Sequence, residues 1–568
     1  MVEKWADETD LIIVGSGAGA MTAAIIACDK GLDVMILEKS PYCGGSSAMS
    51  GGVVWVPNNH LMQAAGIQDS PEDAYDYLSR CVAGRTPEEK LRTYLHYAPQ
   101  MLSYLHDTTD VRFYTLPEYP DYYPEMPGGK PGGRSCEALP YNGLLLDEAF
   151  DKLRPPHPQE TVFGRIMLTA PEARQAAAGG IQAVLLMADL ILGYALNLKA
   201  RFRGTRDSRL CLGNALAGRL FNSVLDRDIP VWLNTPVVDL IVEDGVVIGV
   251  KAELDGEVRR IKARKGVLLA AGGFERNLEM RQQYQRPPVS TEWTAAHPYN
   301  TGDAIRMGQQ LGAALDLMDE AWWTPTTVVP EGTSAWMLII EKNLPGAIIV
   351  DHAGKRYTNE AAPYIDVVNA IYRRHSKRVS AVPSYLVFDS RYRHKYPAGP
   401  MLPGMYQPDW VLPRRIRKQF LHKENTLLEL AASMGIDADR LETTMIFYNE
   451  FVEAGEDRDF QRGASLYDRY YGDAAVKPNP SLGAINKPPY YGFKVFPGDL
   501  GTKGGLLTDR FGSVQRVDGS LIPGLYATGN CTASIMGRTY PGAGATLGPA
   551  MTFGYLAALH AAGQLEGN

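Results

Sequence analysis

The sequence predicts an α/β fold in which one domain, built from both ends of the chain, is interrupted by an inserted cap. Two observations favour this arrangement: residues 10–40 follow a β-α-β pattern, and strands that end in glycine-rich loops recur at 266–274 and 524–530. Parallel strands of this kind join one sheet whose carboxyl ends meet at the same edge. We therefore expect residues 1–324 and 500–568 to form the first domain, and residues 325–499 to form an α+β cap.

The composition excludes several other classes of protein. The chain has 568 residues, of which 45% are hydrophobic and 21% charged, as in ordinary globular proteins. A net charge of −7 argues against a nucleic-acid partner. The six cysteines form no C-x-x-C pair and have no zinc spacing, so we expect no metal site and a reducing, cytoplasmic location.

The β-α-β pattern has the sequence features of a dinucleotide site. Apolar strands are predicted at residues 11–14 and 34–37, with an alanine-rich helix between them. Gly15, Gly17 and Ala20 form a G-x-G-x-x-A turn, which lets a pyrophosphate approach the helix N-terminus closely. Glu38 follows 23 residues after Gly15, where it would accept hydrogen bonds from ribose hydroxyls. We interpret this unit as the start of a Rossmann-like domain.

A second small-residue loop favours FAD over NAD as the ligand. Residues 40–52 read SPYCGGSSAMSGG, and their N–H and O–H groups suit the phosphates and isoalloxazine of a flavin. A helix predicted after the glycine-rich segment 542–548 would direct its positive dipole end at the flavin. Because the loop at 40–52 contains no histidine, we expect FAD to be bound non-covalently.

Together these features resemble the FAD-dependent fumarate reductase/succinate dehydrogenase flavoprotein superfamily. Within it the chain is most similar to the 3-ketosteroid dehydrogenases, and above all to those that act at carbons 1 and 2 (Δ1). The resemblance rests on four segments in order: 118–129 (EYPDYYPEMPGG), 319–323 (DEAWW), 356–364 (RYTNEAAPY) and 536–551 (MGRTYPGAGATLGPAM). It implies a hydrophobic 3-ketosteroid as substrate, FAD as cofactor, and an electron acceptor that stays unidentified.

The motifs and the resemblance together give a set of candidate flavin contacts. They are Gly15, Gly17, Ala18, Gly19, Ala20, Glu38, Lys39, Gly44, Gly45, Ser46, Ser47, Ser50, Gly51, Gly52, Val238, Ala271, Gly272, Gly273, Asn300, Asp303, Gly529, Asn530, Ala545 and Leu547.

Desaturation beside a ketone needs a polarised carbonyl oxygen, a base for the adjacent proton and a hydride acceptor. The resemblance implies that Tyr540 and the N–H of Gly544 donate to the ketone oxygen. It implies that Tyr364 removes the carbon-2 proton, with Tyr122 as its hydrogen-bonding helper. Tyr119 and Tyr123 lie so close in sequence that the choice of Tyr122 stays open at this level.

Three other functions compete with Δ1 desaturation. A desaturase of the same fold acting at carbons 4 and 5 would need a differently placed base. A fumarate-type reductase would need Arg and His side chains around two carboxylates, where the matched segments offer tyrosines. A flavin-binding protein without catalysis would tolerate loss of the tyrosine hydroxyls.

An apolar segment at 181–198 (IQAVLLMADLILGYALNL) is followed by several basic residues. Asp189 near its centre makes a membrane-spanning helix unattractive. The alternatives are a buried helix that lines the substrate pocket and an interfacial helix that gives peripheral membrane contact through 181–203.

Overall fold

The computed structural model describes residues 5–332 and 334–565, and its first sheet has eight strands taken from both ends of the chain. Asp7–Val14 pairs in parallel with Val34–Leu37 and Glu257–Leu269, and Glu257–Leu269 pairs in parallel with Leu521–Ala527. The other members are Val231–Trp232, Val237–Glu243, Val246–Leu254 and Ser513–Gln515. The prediction of an α/β fold assembled from both chain ends is confirmed.

The first sheet is buried on both faces, which explains its unbroken apolar strands. Ile13 packs in the hydrophobic core on one face, and its neighbour Ile12 packs in the core on the other. Neighbouring residues of a strand point to opposite faces, so a strand covered on both sides carries apolar residues at every position.

The second sheet has six strands, and all its pairings are antiparallel. Its strands are Ala321–Thr327, Trp336–Met337, Ala347–Val350, Ser384–Asp389, His422–Glu424 and Tyr490–Thr502. The predicted domain boundaries, after 324 and after 499, both fall inside the pair formed by Ala321–Thr327 and Tyr490–Thr502. The boundaries themselves stay a prediction.

The described part of the chain also contains smaller sheets and sixteen α-helices. A three-stranded sheet joins Val53–Trp55, Phe113–Thr115 and Ser135–Ala138, and two-stranded ones join Leu315–Asp316 to Gly505–Leu506, Tyr141–Asn142 to Arg209–Leu210, and Thr161–Val162 to Ile166–Met167. The helices are Ala18–Asp29, His60–Ala64, Pro71–Val82, Glu88–Thr108, Ala170–Ala178, Gly180–Leu196, Leu198–Arg203, Leu212–Leu225, Leu278–Tyr284, Asp303–Gln310, Tyr364–Arg374, Ser390–Lys395, Leu427–Met434, Ala438–Ala454, Leu466–Tyr470 and Leu547–Ala561.

The first and last helices cross at glycines, which directs both N-termini to one place. A Cβ on Gly19 would lie 2.6 Å from the carbonyl oxygen of Ala550, and a Cβ on Gly554 would lie 2.4 Å from that of Gly19. Side chains at these positions would separate Ala18–Asp29 from Leu547–Ala561. The close crossing brings two positive helix ends to the carboxyl edge of the first sheet.

Candidate active site

A cavity of about 830 Å³ lies at the carboxyl ends of the parallel strands of the first sheet. Its lining includes the loops that follow Val14, Leu37, Leu269 and Ala527, together with residues of the second sheet and of the helices between 170 and 196. In open α/β sheets, ligands bind at this edge because several loops converge there.

The cavity brings together most of the predicted site residues from distant parts of the sequence. The lining includes Gly15, Gly17, Ala18, Gly19, Ala20, Glu38, Lys39, Gly45, Ser46, Ser47, Ser50, Gly51, Gly52, Ala271, Gly272, Asn300, Asp303, Gly529, Asn530, Tyr364, Tyr540, Gly544 and Leu547. The loops at both chain ends therefore face one space.

Four predicted flavin contacts lie outside the lining. Val238 is 49% exposed on the outer face of its strand, and Val237, which points the other way, lines the cavity instead. Gly44 packs against Ala48, Gly273 packs against Thr502, and Ala545 is fully buried behind the lining.

Hydrogen bonds fix the acidic residue at the end of the second strand. Glu38 is buried, and its carboxylate accepts from the Ser16 hydroxyl at 2.6 Å and from the Ser40 backbone N–H at 2.7 Å. Lys39 and Asp303 pair with each other at 2.6 Å. Burial, the largest single influence, would raise the pKa of Asp303, but the hydrogen bonds from Lys39, Arg306 and Thr301 and the charge of Lys39 together hold that pKa below the ordinary value.

Three tyrosines from three distant segments form one buried cluster at the cavity wall. The hydroxyls of Tyr122 and Tyr364 share a short hydrogen bond. The ring of Tyr540 lies 5.2 Å from that of Tyr122 and 5.3 Å from that of Tyr364, measured between ring centres. Tyr364 and Tyr540 line the cavity, whereas Tyr122 lies behind Tyr364 and does not.

The neighbours of Tyr122 have other partners. The hydroxyl of Tyr119 hydrogen-bonds to that of Tyr471 at 2.6 Å, and the backbone N–H of Tyr123 donates to the Tyr77 hydroxyl at 3.3 Å. Among the three candidates left open by the sequence, Tyr122 is therefore the one in contact with Tyr364.

Burial dominates the acidity of the cluster. It raises the pKa of Tyr122 and of Tyr364 well above the ordinary value for tyrosine, and it also raises the pKa of Tyr540. The hydrogen bond with Tyr122 lowers the pKa of Tyr364, and hydrogen bonds with Thr546 and Tyr364 lower that of Tyr540. The cluster is thus neutral near pH 7.

Buried ion pairs hold the segments that carry these tyrosines. Next to Tyr122, the carboxylate of Asp121 accepts from Arg134 at 2.8 Å and from the Trp55 indole N–H at 2.8 Å. In the segment before Tyr364, Arg356 donates to Glu360 at 2.8 Å and to Asp457 at 2.9 Å. Such pairs fix loop geometry because breaking them leaves a buried charge without a partner.

Gly544 occupies a position that only glycine fits. Its φ is +93°, and a Cβ there would lie 2.5 Å from the carbonyl oxygen of Val53 and 2.6 Å from the backbone nitrogen of Trp55. Both contacts are backbone, which cannot move aside as a side chain can. The strand Val53–Trp55 therefore packs directly against the backbone of Gly544, which lines the cavity together with Tyr540.

Comparisons with known proteins identify the family. Residues 10–547 match the family model described as FAD binding domain. The chain is 44% identical to a 3-oxosteroid 1-dehydrogenase of Mycobacterium tuberculosis, over 98% of this chain and 99% of that protein. The chain belongs to the 3-oxosteroid 1-dehydrogenase family. The resemblance stated from the sequence motifs is confirmed.

Solved structures agree with this family. The 3-ketosteroid Δ1-dehydrogenase of Sterolibacterium denitrificans, crystallised with 1,4-androstadiene-3,17-dione, matches with a TM-score of 0.95 at 43% identity, covering 99% of this chain and 100% of that one. The 3-ketosteroid-Δ4-(5α)-dehydrogenase of Rhodococcus jostii matches with a TM-score of 0.67 at 21% identity, over 99% of this chain and 98% of that one, which shows the fold alone.

FAD is the cofactor of this member of the 3-oxosteroid 1-dehydrogenase family, and the cavity fits it. His297 lines the cavity and is 2% exposed. Its Nδ1 accepts from the Tyr299 backbone N–H at 3.0 Å, and burial lowers the pKa of His297 to about 2, so the neutral ring carries its proton on Nε2. Within the described residues that Nε2–H has no acceptor, so it can donate a hydrogen bond to a ligand bound in the cavity.

Sequence reasoning missed His297 and the outer wall of this dehydrogenase's cavity. The wall includes Tyr119, Tyr470 and Tyr471, and the rings of Tyr119 and Tyr470 stack 4.5 Å apart. Arg174 lies over the Tyr470 ring at 4.7 Å and pairs with Glu118 at 2.7 Å. Glu118 and Tyr119 stand in the matched segment 118–129, whereas Arg174, Tyr470 and Tyr471 lie outside every matched segment.

The apolar helix Gly180–Leu196 lines the cavity with one face. Ala183, Val184, Met187, Ala188 and Ile191 belong to the lining, at helical spacing. The opposite face exposes Ile181, Leu185, Leu192 and Leu196. Across residues 5–332 and 334–565, no helix has the length and apolar content needed to cross a bilayer.

Proposed function

We propose that this protein is an FAD-dependent 3-oxosteroid 1-dehydrogenase, which introduces a double bond between carbons 1 and 2 of the A ring. The observation that carries this proposal is the wall formed by Tyr364, Tyr540 and Gly544, with Tyr122 behind it. The glycine-rich loops that face the same cavity would hold FAD. The family and the bound product-like steroid of its close structural relative support the same substrate class.

The reaction needs the steroid ketone to be polarised first. The Tyr540 hydroxyl and the Gly544 N–H donate to the carbon-3 oxygen and stabilise the negative charge that develops there. Carbon 2 then loses a proton to the Tyr364 oxygen. The hydride that leaves carbon 1 would pass to FAD held by the glycine-rich loops, so one proton and one hydride leave as the double bond forms.

Tyr122 is proposed as a positioning residue for the base. A phenol serves as a base only after losing its own proton, and burial raises the pKa of Tyr364 well above the ordinary value. The hydrogen bond from Tyr122 stabilises the Tyr364 phenolate and opposes that effect. The rate is therefore expected to rise with pH over the range in which the enzyme is stable.

The competing functions have less support from this site. A fumarate-type reductase needs cationic side chains around two carboxylates. Arg174, the arginine in the lining, is already paired with Glu118, and the cluster beside Gly544 consists of neutral phenols. A Δ4-desaturase would form a 4-ene from a saturated 3-ketone, so product analysis separates the two desaturases.

Incubation with androst-4-ene-3,17-dione and an artificial electron acceptor tests the proposal. The expected product is the 1,4-diene, and cholest-4-en-3-one run in parallel measures the preference for a side chain. A Tyr364→Phe enzyme that keeps both FAD and near wild-type turnover would reject the assigned base.

We also propose that FAD is bound non-covalently, which the histidine-free loop at 40–52 supports. Acid precipitation is expected to release all the flavin into the supernatant, and flavin retained by the pellet would refute this. The division into a split flavin domain (1–324 and 500–568) and a cap (325–499) is also proposed, with the active site between the two.

We further propose that the segment 181–203 contacts a membrane surface. Ile181 (72%) is exposed on the helix Gly180–Leu196 and Phe202 (90%) on the helix Leu198–Arg203, which also exposes Lys199 and Arg203. An apolar face flanked by basic residues suits an interface with anionic lipid. Because the other face of the helix lines the cavity, a steroid dissolved in lipid would have a short path to the site.

Sedimentation with vesicles of phosphatidylcholine and phosphatidylglycerol tests the membrane proposal. The triple variant Ile181→Ser/Leu185→Ser/Phe202→Ser is expected to lose most of the bound fraction. Its turnover of a water-soluble steroid should be unchanged, since none of the three residues lines the cavity. Val517→Ser removes an equally exposed apolar residue elsewhere and is the control. Equal sedimentation of all three proteins would refute membrane contact.

A further inference from the structure

Two fully buried lysines, Lys342 and Lys503, lie beside the segments that carry the two cavity-lining tyrosines of the cluster. Both are 0% exposed. Each side chain donates to backbone carbonyl groups just before a tyrosine, although a buried cation is more often neutralised by a carboxylate. The flavin-site motifs do not include either lysine.

Lys503 contacts the Tyr540 segment at two points. Its Nζ donates a short hydrogen bond to the carbonyl oxygen of Thr539, the residue that precedes Tyr540. The same Nζ lies 4.2 Å from the ring centre of Trp322, and the Trp322 ring packs edge-on against the Tyr540 ring at 4.7 Å. The lysine thus restrains both the backbone and the ring of Tyr540.

Lys342 makes the equivalent contact with the Tyr364 segment. Its Nζ donates to the carbonyl oxygen of Ala362 at 2.7 Å and to that of Glu360 at 3.0 Å. The helix Tyr364–Arg374 begins two residues after Ala362, so Tyr364 is its first residue. Holding these carbonyls fixes the turn from which the base projects into the cavity.

Buried ammonium groups at these two positions are energetically unfavourable. Burial lowers the pKa of Lys342 to about 7 and the pKa of Lys503 to about 7 as well. An apolar side chain of similar length would fill the same space without that penalty. What lysine adds at both places is a set of N–H donors that reach main-chain oxygens next to a tyrosine.

We propose that Lys342 and Lys503 are positioning residues that set Tyr364 and Tyr540 relative to the steroid A ring by holding the carbonyls that precede them. This inference rests on the proposed roles of the two tyrosines. Because Tyr540 serves the ketone oxygen and Tyr364 serves carbon 2, the two lysines have separable effects. Loss of Lys503 weakens recognition of the oxygen, and loss of Lys342 slows proton removal.

Lys90 provides a matched control. It is also a buried lysine, and its Nζ donates to the carbonyl oxygen and the hydroxyl of Thr508, both at 2.7 Å. Thr508 is far in sequence from each tyrosine of the cluster. Lys90→Met therefore removes the same kind of buried hydrogen bond without releasing a segment that carries a proposed catalytic group.

The test compares Lys342→Met, Lys503→Met and Lys90→Met as FAD-loaded enzymes. Four quantities are measured: kcat for androst-4-ene-3,17-dione, KM for the same steroid, the ratio of FAD to protein, and the affinity for estradiol. The phenol oxygen of estradiol stands where the enolate oxygen forms, so its affinity reports the oxygen-binding donors. Lys342→Gln and Lys503→Gln keep an N–H donor, so they are expected to hold kcat within threefold of wild type, and they provide the test where a Met variant does not fold.

Lys342→Met and Lys503→Met are expected to lose at least tenfold in kcat, with KM within threefold of wild type and FAD retained. Lys503→Met should also bind estradiol at least tenfold more weakly, whereas Lys342→Met should bind it within threefold of wild type. Variants whose kcat stays within threefold of Lys90→Met would overturn the proposal. Wild-type protein that does not oxidise the steroid would instead refute the proposed function.

Discussion

Replacing Gly544 by alanine tests the most constrained position of the site. The new Cβ would lie 2.5 Å from the Val53 carbonyl oxygen and 2.6 Å from the Trp55 nitrogen, so the backbone must shift. Overpacking of this kind costs about 1–3 kcal/mol. Placing alanine at a φ of +93° adds a further penalty of about 1–2 kcal/mol. The free energy of unfolding is therefore expected to fall by about 2–5 kcal/mol.

The backbone shift in Gly544→Ala should also move the N–H of residue 544 away from the ketone oxygen and so remove one of its two proposed donors. Loss of a single such donor lowers kcat by about a hundredfold to a thousandfold. Gly435→Ala is the control, because Gly435 has a φ of +69° with no atom within 4 Å of its Cβ position. Urea unfolding and steady-state kinetics are measured on both variants. A Gly544→Ala enzyme that matches Gly435→Ala in stability and keeps more than half of the wild-type kcat would contradict both the packing at Gly544 and its proposed donor role.

Four further predictions concern single residues. Tyr364→Phe should lower kcat by about 10²–10⁴-fold with FAD retained. The control Tyr448→Phe removes a buried phenol hydroxyl that has no partner in the described residues, and it should leave kcat unchanged. Equal kcat values for the two variants would contradict the assignment of Tyr364 as the base. His297→Ala should weaken FAD binding about tenfold, as measured by flavin fluorescence. The control is His352→Ala, because His352 is not among the residues that line the cavity. The same loss of affinity in both variants would disprove a specific contact between His297 and FAD. Asp457→Asn should lower the free energy of unfolding by about 3–5 kcal/mol in urea, and a change below about 1 kcal/mol would show that its pair with Arg356 is not structural. Burial raises the pKa of Tyr364, so the unfolded chain loses that proton at a lower pH than the folded protein does. The free energy of unfolding should therefore fall as pH rises above about 10, and it should fall less steeply in Tyr364→Phe. The same pH dependence in the two proteins would contradict this.

The flavin-binding part of the fold could be predicted because its local signals are strong and agree. Strand composition, glycine spacing and the acid at Glu38 all indicate one β-α-β unit, and each is a property of a short stretch of sequence. The second sheet was less predictable, since its register depends on pairing between segments as distant as Ala321–Thr327 and Tyr490–Thr502. That long strand pair also crosses both predicted domain boundaries.

The candidate site likewise contains residues that local sequence motifs could predict and residues that they could not. Tyr364 and Tyr540 stand in motifs that match a known family, and the structure places both at the cavity wall. The side chain of Val238 points outward because of strand alternation, and Val237 lines the cavity instead, while the flavin contact of Val238 stays a prediction. His297 and Lys503 were missed because only tertiary packing brings a lone polar residue beside the flavin loops or the tyrosine segment.

We propose that a 3-ketosteroid loses hydrogen from carbons 1 and 2 in this site, with Tyr364 as the base for the carbon-2 proton and FAD as the acceptor for the carbon-1 hydride. Product analysis after incubation of the purified FAD enzyme with androst-4-ene-3,17-dione and an artificial acceptor tests it most directly. The expected product is androsta-1,4-diene-3,17-dione, with one acceptor molecule reduced by two electrons for each steroid oxidised. Recovery of unchanged substrate, from an enzyme that converts a 5α-saturated 3-ketone only to the 4-ene, would contradict it.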